Sequence, residues 1–182
     1  MVSPKKAKKK SLLLVLALII AVVIVAVASI LFQNWWNSRP GPDPAEVAIT
    51  AKVGDREMEI LPYMVCAPGE ECPEGEVPAL EVGPDETLTL EVPEAIHERD
   101  WSVLTIYDDP AANDQQLHGG HDTDTVEIPG SVDPVNEESA ERPQLVVVEV
   151  SNAMISTDDN GEEIPVSVVW SINARGEEAT NR

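Results

Sequence analysis

Positive charge is scarce in most of this sequence. Lysine and arginine number 12 against 33 aspartate and glutamate residues, and half of these cations precede the first acid, Asp43. They are Lys5, Lys6, Lys8, Lys9, Lys10 and Arg39. The remaining chain carries six basic residues against 33 acidic ones. Binding to a phosphate backbone depends on lysine and arginine that displace counterions, so nucleic acid is not an expected partner of this region.

The sequence also lacks the short motifs of common catalytic sites. It contains no G-x-S-x-G elbow, no Walker loop and no dinucleotide fingerprint. His97-Glu98 does not form a metalloprotease motif, because Trp101 occupies the position of the second histidine. We therefore predict a protein that is not an enzyme and has no cofactor. A hydrolase with an unrecognised carboxylate site is an alternative that the sequence leaves open.

One long apolar segment lies near the N-terminus. Residues 12–32 contain no charge and one hydroxyl, that of Ser29. A helix of this length spans about 31 Å, close to the hydrocarbon thickness of a lipid bilayer, which predicts a single transmembrane helix. Because lysine-rich flanks stay in the cytoplasm, we expect the C-terminal part outside the membrane. The alternative is a signal peptide cleaved after Ala28, since Ala26-Val27-Ala28 fits the cleavage pattern.

Alternation of apolar and polar residues dominates the rest of the chain and predicts β-strands. The predicted strands lie near 47–53, 58–65, 88–92, 101–107, 125–128, 145–150 and 164–172. A single helical turn is predicted at 93–98, and long loops at 108–124 and 130–143. About seven short strands separated by Gly, Pro and Asp turns predict a mostly β fold, an immunoglobulin-like antiparallel β-sandwich.

This reading divides the chain into five parts. They are a cytoplasmic basic tail (1–11), the transmembrane helix (12–32), an extracytoplasmic proline-rich stalk (33–45), an acidic β-sandwich domain (46–175) and a flexible tail (176–182). About 140 residues outside the membrane suffice for one ordinary domain.

The two cysteines, Cys66 and Cys72, are predicted to form a disulfide, because the domain is expected outside the reducing cytoplasm. A redox-active pair would be spaced C-x-x-C, which this pair is not. A thiolate metal site would need further cysteines that the chain does not have.

A histidine-containing loop is the one candidate metal site. His118, His121 and Asp122 offer two imidazoles and a carboxylate, a ligand set that suits a divalent transition metal. The spacing matches no zinc signature, and histidines in a glycine-rich exposed loop are commonly only solvated. Both interpretations stay open.

After the N-terminal anchor comes a set of aromatic, cysteine and apolar positions. They are Tyr63, Cys66, Cys72, Pro93, Ile96, Trp101, Val103, Tyr107 and the run Trp170-Ser171-Ile172. This pattern resembles an actinobacterial family of envelope-anchored proteins described only as a domain of unknown function, and it covers residues 47–173. The resemblance implies a secreted or membrane-anchored location and brings no catalytic residues.

These observations predict a membrane-anchored envelope protein that acts as a non-catalytic binding or interaction module. Its expected partners are the lipid bilayer, through residues 12–32, and another protein or component of the cell envelope. The alternative is an acidic receptor for a metal or a small cationic solute, because the domain carries 33 acids and a histidine pair.

Overall fold

The computed structural model describes residues 4–37, 41–70, 72–135, 141–158 and 161–176. Parts of the predicted stalk, of the predicted loop 130–143 and of the predicted C-terminal tail lie outside the described residues. The chain divides into two compact units, residues 1–40 and residues 41–182. We call the second unit the β-domain.

In its described residues, the first unit is one helix. This helix, α1, runs from Pro4 to Asn37, so it extends past both ends of the predicted span 12–32 and includes the first residues of the predicted stalk. Its segment Val15–Trp35 has a mean hydropathy of 3.3, and its side chains are exposed. The helix is long and apolar enough to cross a membrane, a property that signal sequences near an N-terminus share.

Nine strands, one short helix and two 3-10 turns make up the described part of the β-domain. The strands are β1 Ile49–Val53, β2 Arg56–Ile60, β3 Met64–Cys66, β4 Thr87–Glu91, β5 Trp101–Tyr107, β6 Asp114–His118, β7 Thr125–Pro129, β8 Leu145–Thr157 and β9 Glu163–Asn173. The short helix, α2, is Glu94–His97, and the 3-10 turns are Pro44–Glu46 and Pro110–Ala112.

The strands form two antiparallel sheets. The four-stranded sheet has the order β2-β1-β4-β7, and the five-stranded sheet has the order β3-β9-β8-β5-β6. The stretches β1-β4-β7 and β9-β8-β5-β6 correspond to strands A-B-E and G-F-C-C′ of an immunoglobulin-type sandwich. The predicted mostly β fold with antiparallel sheets is confirmed, with nine strands among the described residues instead of about seven.

Three segments differ from the prediction. The strand predicted at 145–150 continues to Thr157 as β8. The single strand predicted at 58–65 is two strands, β2 and β3, which belong to different sheets. Pro62, which has no N–H for a ladder, lies where the chain leaves the first sheet. The loop predicted at 108–124 contains β6, whose polar sequence DQQLH lacks the apolar alternation that marks a strand.

The two sheets share one hydrophobic core. Trp170 of β9 is fully buried and donates its Nε1–H to the carbonyl oxygen of Val47 at 2.8 Å. Tyr107 of β5 donates its hydroxyl to the carbonyl oxygen of Pro129 in β7 at 3.1 Å. Each bond joins the five-stranded sheet to a segment of the opposite layer. Because buried polar groups need partners, these two side chains fix how the sheets align.

Candidate functional site

The outward surface of the five-stranded sheet is apolar. Register and strand alternation place nine apolar side chains there, on all five strands, besides the disulfide-bonded Cys66. They are Met64, Leu104, Ile106, Leu117, Val147, Ala153, Ile155, Pro165 and Val169. Most are half-buried among their neighbours, and the Leu117 side chain is 78% exposed. We call this surface the apolar face.

The outward surface of the four-stranded sheet has the opposite chemistry. Apart from Pro129 at the end of β7, its strand positions are threonine, glutamate and lysine, namely Thr50, Lys52, Glu57, Glu59, Thr87, Thr89, Glu91, Thr125 and Glu127. Lys52 Nζ lies 2.8 Å from Glu91 Oε1 and 3.9 Å from Glu57 Oε2. The hydrogen bond to Glu91 raises the pKa of the Lys52 ammonium, as does the charge of Glu57. We call this surface the charged face.

A single acid lies in the middle of the apolar face. Glu149 is paired in register with Leu104 on one side and Ser171 on the other. Among the described strand positions of this face, only Glu149 and Glu163 are charged. A hydrogen bond with the Glu74 carboxylate raises the pKa of the Tyr63 hydroxyl, and partial burial and the charges of Glu74 and Glu149 add to the effect. The acid therefore has aliphatic and hydroxyl neighbours, and Tyr63 lies near it.

A row of small hydroxyl side chains crosses the same face beside Glu149. Ser102 of β5 and Ser151 of β8 are paired in register, and their Oγ atoms lie 2.8 Å apart. Leu117 follows Ser102 across the sheet, on the edge strand. The two hydroxyls form a hydrogen bond with each other, so a binding partner does not need to supply hydrogen-bonding groups for them.

Strand β6 is an unprotected edge of the five-stranded sheet. It pairs with β5 on one side, and its residues 114–117 are exposed. Lysine and proline, which often protect an edge strand, do not occur in its sequence DQQLH. The edge therefore adjoins the apolar face and offers backbone groups for pairing with an extended segment.

The predicted disulfide is confirmed. Cys66 at the end of β3 is bonded to Cys72, with their Cα atoms 5.4 Å apart. The closed loop lies at the opposite edge of the five-stranded sheet from β6, since β3 is the other edge strand. The disulfide constrains the segment that directly follows β3. A backbone hydrogen bond lies close by, from Gly75 N–H to the carbonyl oxygen of Tyr63 at 2.7 Å.

All three histidines of the chain lie at one end of the β-domain. His97 ends α2, His118 ends β6, and His121 lies in the turn that follows β6. The His118 ring stacks on the buried Trp101 ring, with centroids 4.5 Å apart. The His121 ring instead lies edge-on to His97, with centroids 6.2 Å apart. We call the two segments 93–100 and 118–124 the histidine end.

Buried polar atoms without a partner are concentrated at the same end. Asn152, Trp101 and His118 form one row across β8, β5 and β6. Within the described ranges of the chain, Oδ1 of Asn152, Nε1 of Trp101 and Nε2 of His118 are buried and make no hydrogen bond. The Asn152 amide NH₂ donates to the carbonyl oxygens of Ile96 and Asp100. Because unpaired buried groups cost stability, this end is the least well satisfied part of the core.

The residues predicted to bind a metal are divided between two environments. His118 packs on Trp101, whereas His121 lies beside His97. Asp122 Oδ2 accepts a hydrogen bond from Gly119 N–H at 3.0 Å. Among residues that the structure describes, no group of three or more histidine, cysteine or carboxylate side chains is arranged to hold a metal ion. A site made of His118, His121 and Asp122 stays a prediction.

One family model matches most of the chain. It is described as a protein family of unknown function, DUF2771, and it matches residues 42–175. The chain belongs to this family. The match begins after α1, so the β-domain is the part that the family shares. No curated protein and no solved structure matches the chain.

Sequence reasoning identified neither the apolar face nor the proximity of His97 and His121. The alternation in β5, β8 and β9 gave a signal for the face, since both parities of β8 are largely apolar. The proximity of His97 to His121 has no local signal, because it depends on two connections that meet at one end of the sandwich. Those connections are joined by the bond from His121 N–H to the carbonyl oxygen of His97 at 2.6 Å.

Proposed function

We propose that this protein is a non-catalytic binding module of the actinobacterial cell envelope, anchored by α1 and displayed outside the membrane. The lysine-rich segment before the apolar helix supports this orientation, because positive flanks stay in the cytoplasm. The apolar face is the proposed binding surface, and another envelope protein is the proposed partner.

The contrast between the two outward surfaces carries this proposal. Antiparallel sheets that face water normally alternate apolar inward and polar outward residues, and the charged face follows that rule. The apolar face does not follow this alternation, although both surfaces belong to one sandwich with one core. Exposed apolar patches rimmed by polar residues mark interaction sites, so the composition of the apolar face supports binding of another protein there.

The charge of the domain specifies the kind of partner. Six basic residues against 33 acidic ones repel an acidic surface and favour one with positive charge. Glu149 lies within the apolar face, between Leu104 and Ser171. The proposed partner surface therefore presents an arginine or lysine surrounded by apolar side chains, which complements Glu149 and its apolar neighbours.

Site-specific photocrosslinking in intact cells tests this function. A benzophenone amino acid replaces Leu117 on the apolar face, or Glu127 on the charged face, in the full-length protein. Both positions are exposed and lie on edge strands, β6 and β7, so they form a matched pair. We expect an adduct of one defined mass from position 117 and none from position 127.

A charge reversal then tests the partner class. Glu149→Lys should remove the adduct at position 117, because the repelled partner surface is cationic. Equal adducts from positions 117 and 127 would contradict the proposal, as would an adduct that Glu149→Lys leaves unchanged. An adduct consisting only of two copies of this chain would replace the partner protein with self-association.

Membrane topology is tested separately with protease on spheroplasts. The β-domain should be degraded while the lysine-rich segment stays protected, because its charges hold it in the cytoplasm. Protection of the β-domain would contradict the proposed display outside the membrane.

A further inference from the structure

The histidine end brings together two imidazoles that are far apart in sequence. The rings of His97 and His121 have centroids 6.2 Å apart and an interplanar angle of 75°. His97 is half-buried and His121 is exposed, so water and ions reach the pair. The third histidine, His118, is stacked on Trp101 instead.

This separation suits a metal ion held between the two rings. With metal–nitrogen bonds of about 2.0–2.1 Å, two imidazoles on one ion have ring centroids between about 5 and 6.5 Å apart, depending on the ligand angle. The observed separation is within that interval. The observed value is near the upper end of that interval, so the two rings would lie nearly opposite each other on the ion, each turned to direct one nitrogen toward it.

Backbone contacts hold the two segments in place. His121 N–H donates to the His97 carbonyl oxygen at 2.6 Å, and Gly120 N–H donates to Asp100 Oδ1 at 3.1 Å. A Cβ atom at Gly120 would lie 2.7 Å from the carbonyl oxygen of Glu98, so only glycine allows this approach. His121 itself has a φ of 65°, in the left-handed region. The backbone segments that carry the two rings are therefore held together as one unit.

We propose that His97 and His121 form a binding site for a late first-row divalent cation, with Cu²⁺ bound most tightly. Imidazole suits these ions, and affinity at a given site rises through the series to Cu²⁺. Within the described residues no third histidine, cysteine or carboxylate completes a ligand set, so water fills the other positions. The acidic domain raises the local concentration of cations. This inference is independent of the proposed binding of a protein at the apolar face.

Cu²⁺ titration of the full-length protein in detergent micelles, followed by electron paramagnetic resonance, tests the site. The unmodified protein should show a copper signal with coupling to two nitrogen nuclei. His97→Ala and His121→Ala should each reduce that coupling to one nitrogen and weaken binding at least about tenfold, since loss of outer-shell groups alone costs about 10- to 100-fold.

His118→Ala is the matched control, because the chain has three histidines and this one is stacked on Trp101. It should leave both the two-nitrogen signal and the affinity unchanged. If His118→Ala and His121→Ala abolish the signal while His97→Ala does not, the ligands are those that the loop sequence suggested and this proposal is wrong. Equal weak binding by all three variants and the unmodified protein would also overturn it, since carboxylates would then be the ligands.

Discussion

The two sheets of the β-domain differ in what they present outward. Apart from Pro129, the charged face of the four-stranded sheet consists of threonine, glutamate and lysine. The apolar face of the five-stranded sheet consists largely of valine, leucine, isoleucine, methionine and serine. Inward, both sheets contribute fully buried aliphatic or aromatic side chains to the same core.

Comparing the two sheets shows which apolar residues the fold requires and which it does not. A sandwich needs apolar residues on its two inner surfaces, and both sheets meet that need. Nothing in the packing of the sheets requires an apolar outer surface, and the four-stranded sheet has none. Apolar residues on the outside of the five-stranded sheet are therefore best explained by binding.

The largest predicted effect concerns the inner surfaces, which should be equivalent. Trp170→Ala in the five-stranded sheet should destabilise the β-domain by about 3–5 kcal/mol, and Leu90→Ala in the four-stranded sheet by about 2–5 kcal/mol. Both side chains are fully buried, and Trp170 also loses its bond to Val47. Urea unfolding of the full chain in detergent, followed by near-ultraviolet circular dichroism, measures both.

Thr125→Ala serves as a control, because this exposed residue on the charged face should change stability by no more than about 0.5 kcal/mol. A loss below about 1 kcal/mol for Leu90→Ala would show that the four-stranded sheet does not share the core as described.

The disulfide, at the β3 edge of the five-stranded sheet, should have the next largest effect. Replacing Cys66 and Cys72 together with serine should cost about 2–2.5 kcal/mol, because the bond closes a short loop in the unfolded chain. Alkylation of the native protein should add no mass before reduction. Hydrogen exchange through global unfolding should become faster throughout the β-domain, and Met64–Cys66 should show an additional local increase that β7 does not.

Tyr107 links the two sheets and predicts a moderate, pH-dependent effect. Tyr107→Phe removes the hydroxyl bond to the Pro129 carbonyl and should cost about 0.5–1.5 kcal/mol near neutral pH. Burial, and then the charge of Asp114, raise the pKa of the Tyr107 hydroxyl. The folded state thus holds this proton more tightly than the unfolded state does.

The direction of the pH effect on stability follows from this difference in proton affinity. The contribution of Tyr107 is complete below its ordinary pKa of about 10 and is lost as pH rises through the higher folded-state pKa. The free energies of unfolding of the unmodified protein and of Tyr107→Phe should therefore converge as the pH rises above about 10. A difference between the two proteins that stays constant as the pH rises would contradict the assignment.

Local alternation was sufficient to predict most of the fold. β1, β4 and β7 bury one parity of residues, and β5 and β9 do so except at Ser102 and Ser171, so sequence reasoning found these strands. It missed β6 because an exposed edge strand needs no apolar side. It predicted β2 and β3 as a single strand, because a change of sheet at Pro62 gives the same sequence pattern as a β-bulge.

The candidate site was harder to predict, because its parts meet only in three dimensions. The disulfide could be predicted, since the chain has just two cysteines. The loop sequence placed His118 and His121 together by proximity along the chain. In the fold, β6 ends at His118 and turns its ring onto Trp101, while the next turn carries His121 to α2. Contacts between separate connections leave no periodic pattern.

The smallest predicted effect on stability is the one that tests the comparison most directly. Leu117→Gln on the apolar face and Glu127→Gln on the charged face both change an exposed side chain on an edge strand. Each should alter the free energy of unfolding by no more than about 0.5 kcal/mol, since neither touches a cap, a core position or a paired buried group.

The effects of these two substitutions on binding should differ. With the benzophenone placed at the neighbouring apolar-face position 104, Leu117→Gln should reduce the adduct, because the partner then buries less apolar area on binding. Glu127→Gln should leave that adduct unchanged. If the two substitutions reduce the adduct equally, the apolar character of one face does not determine where the partner binds. If Leu117→Gln instead destabilises the fold by several kcal/mol, its side chain is part of the packing and the apolar face is a covered surface of the domain itself.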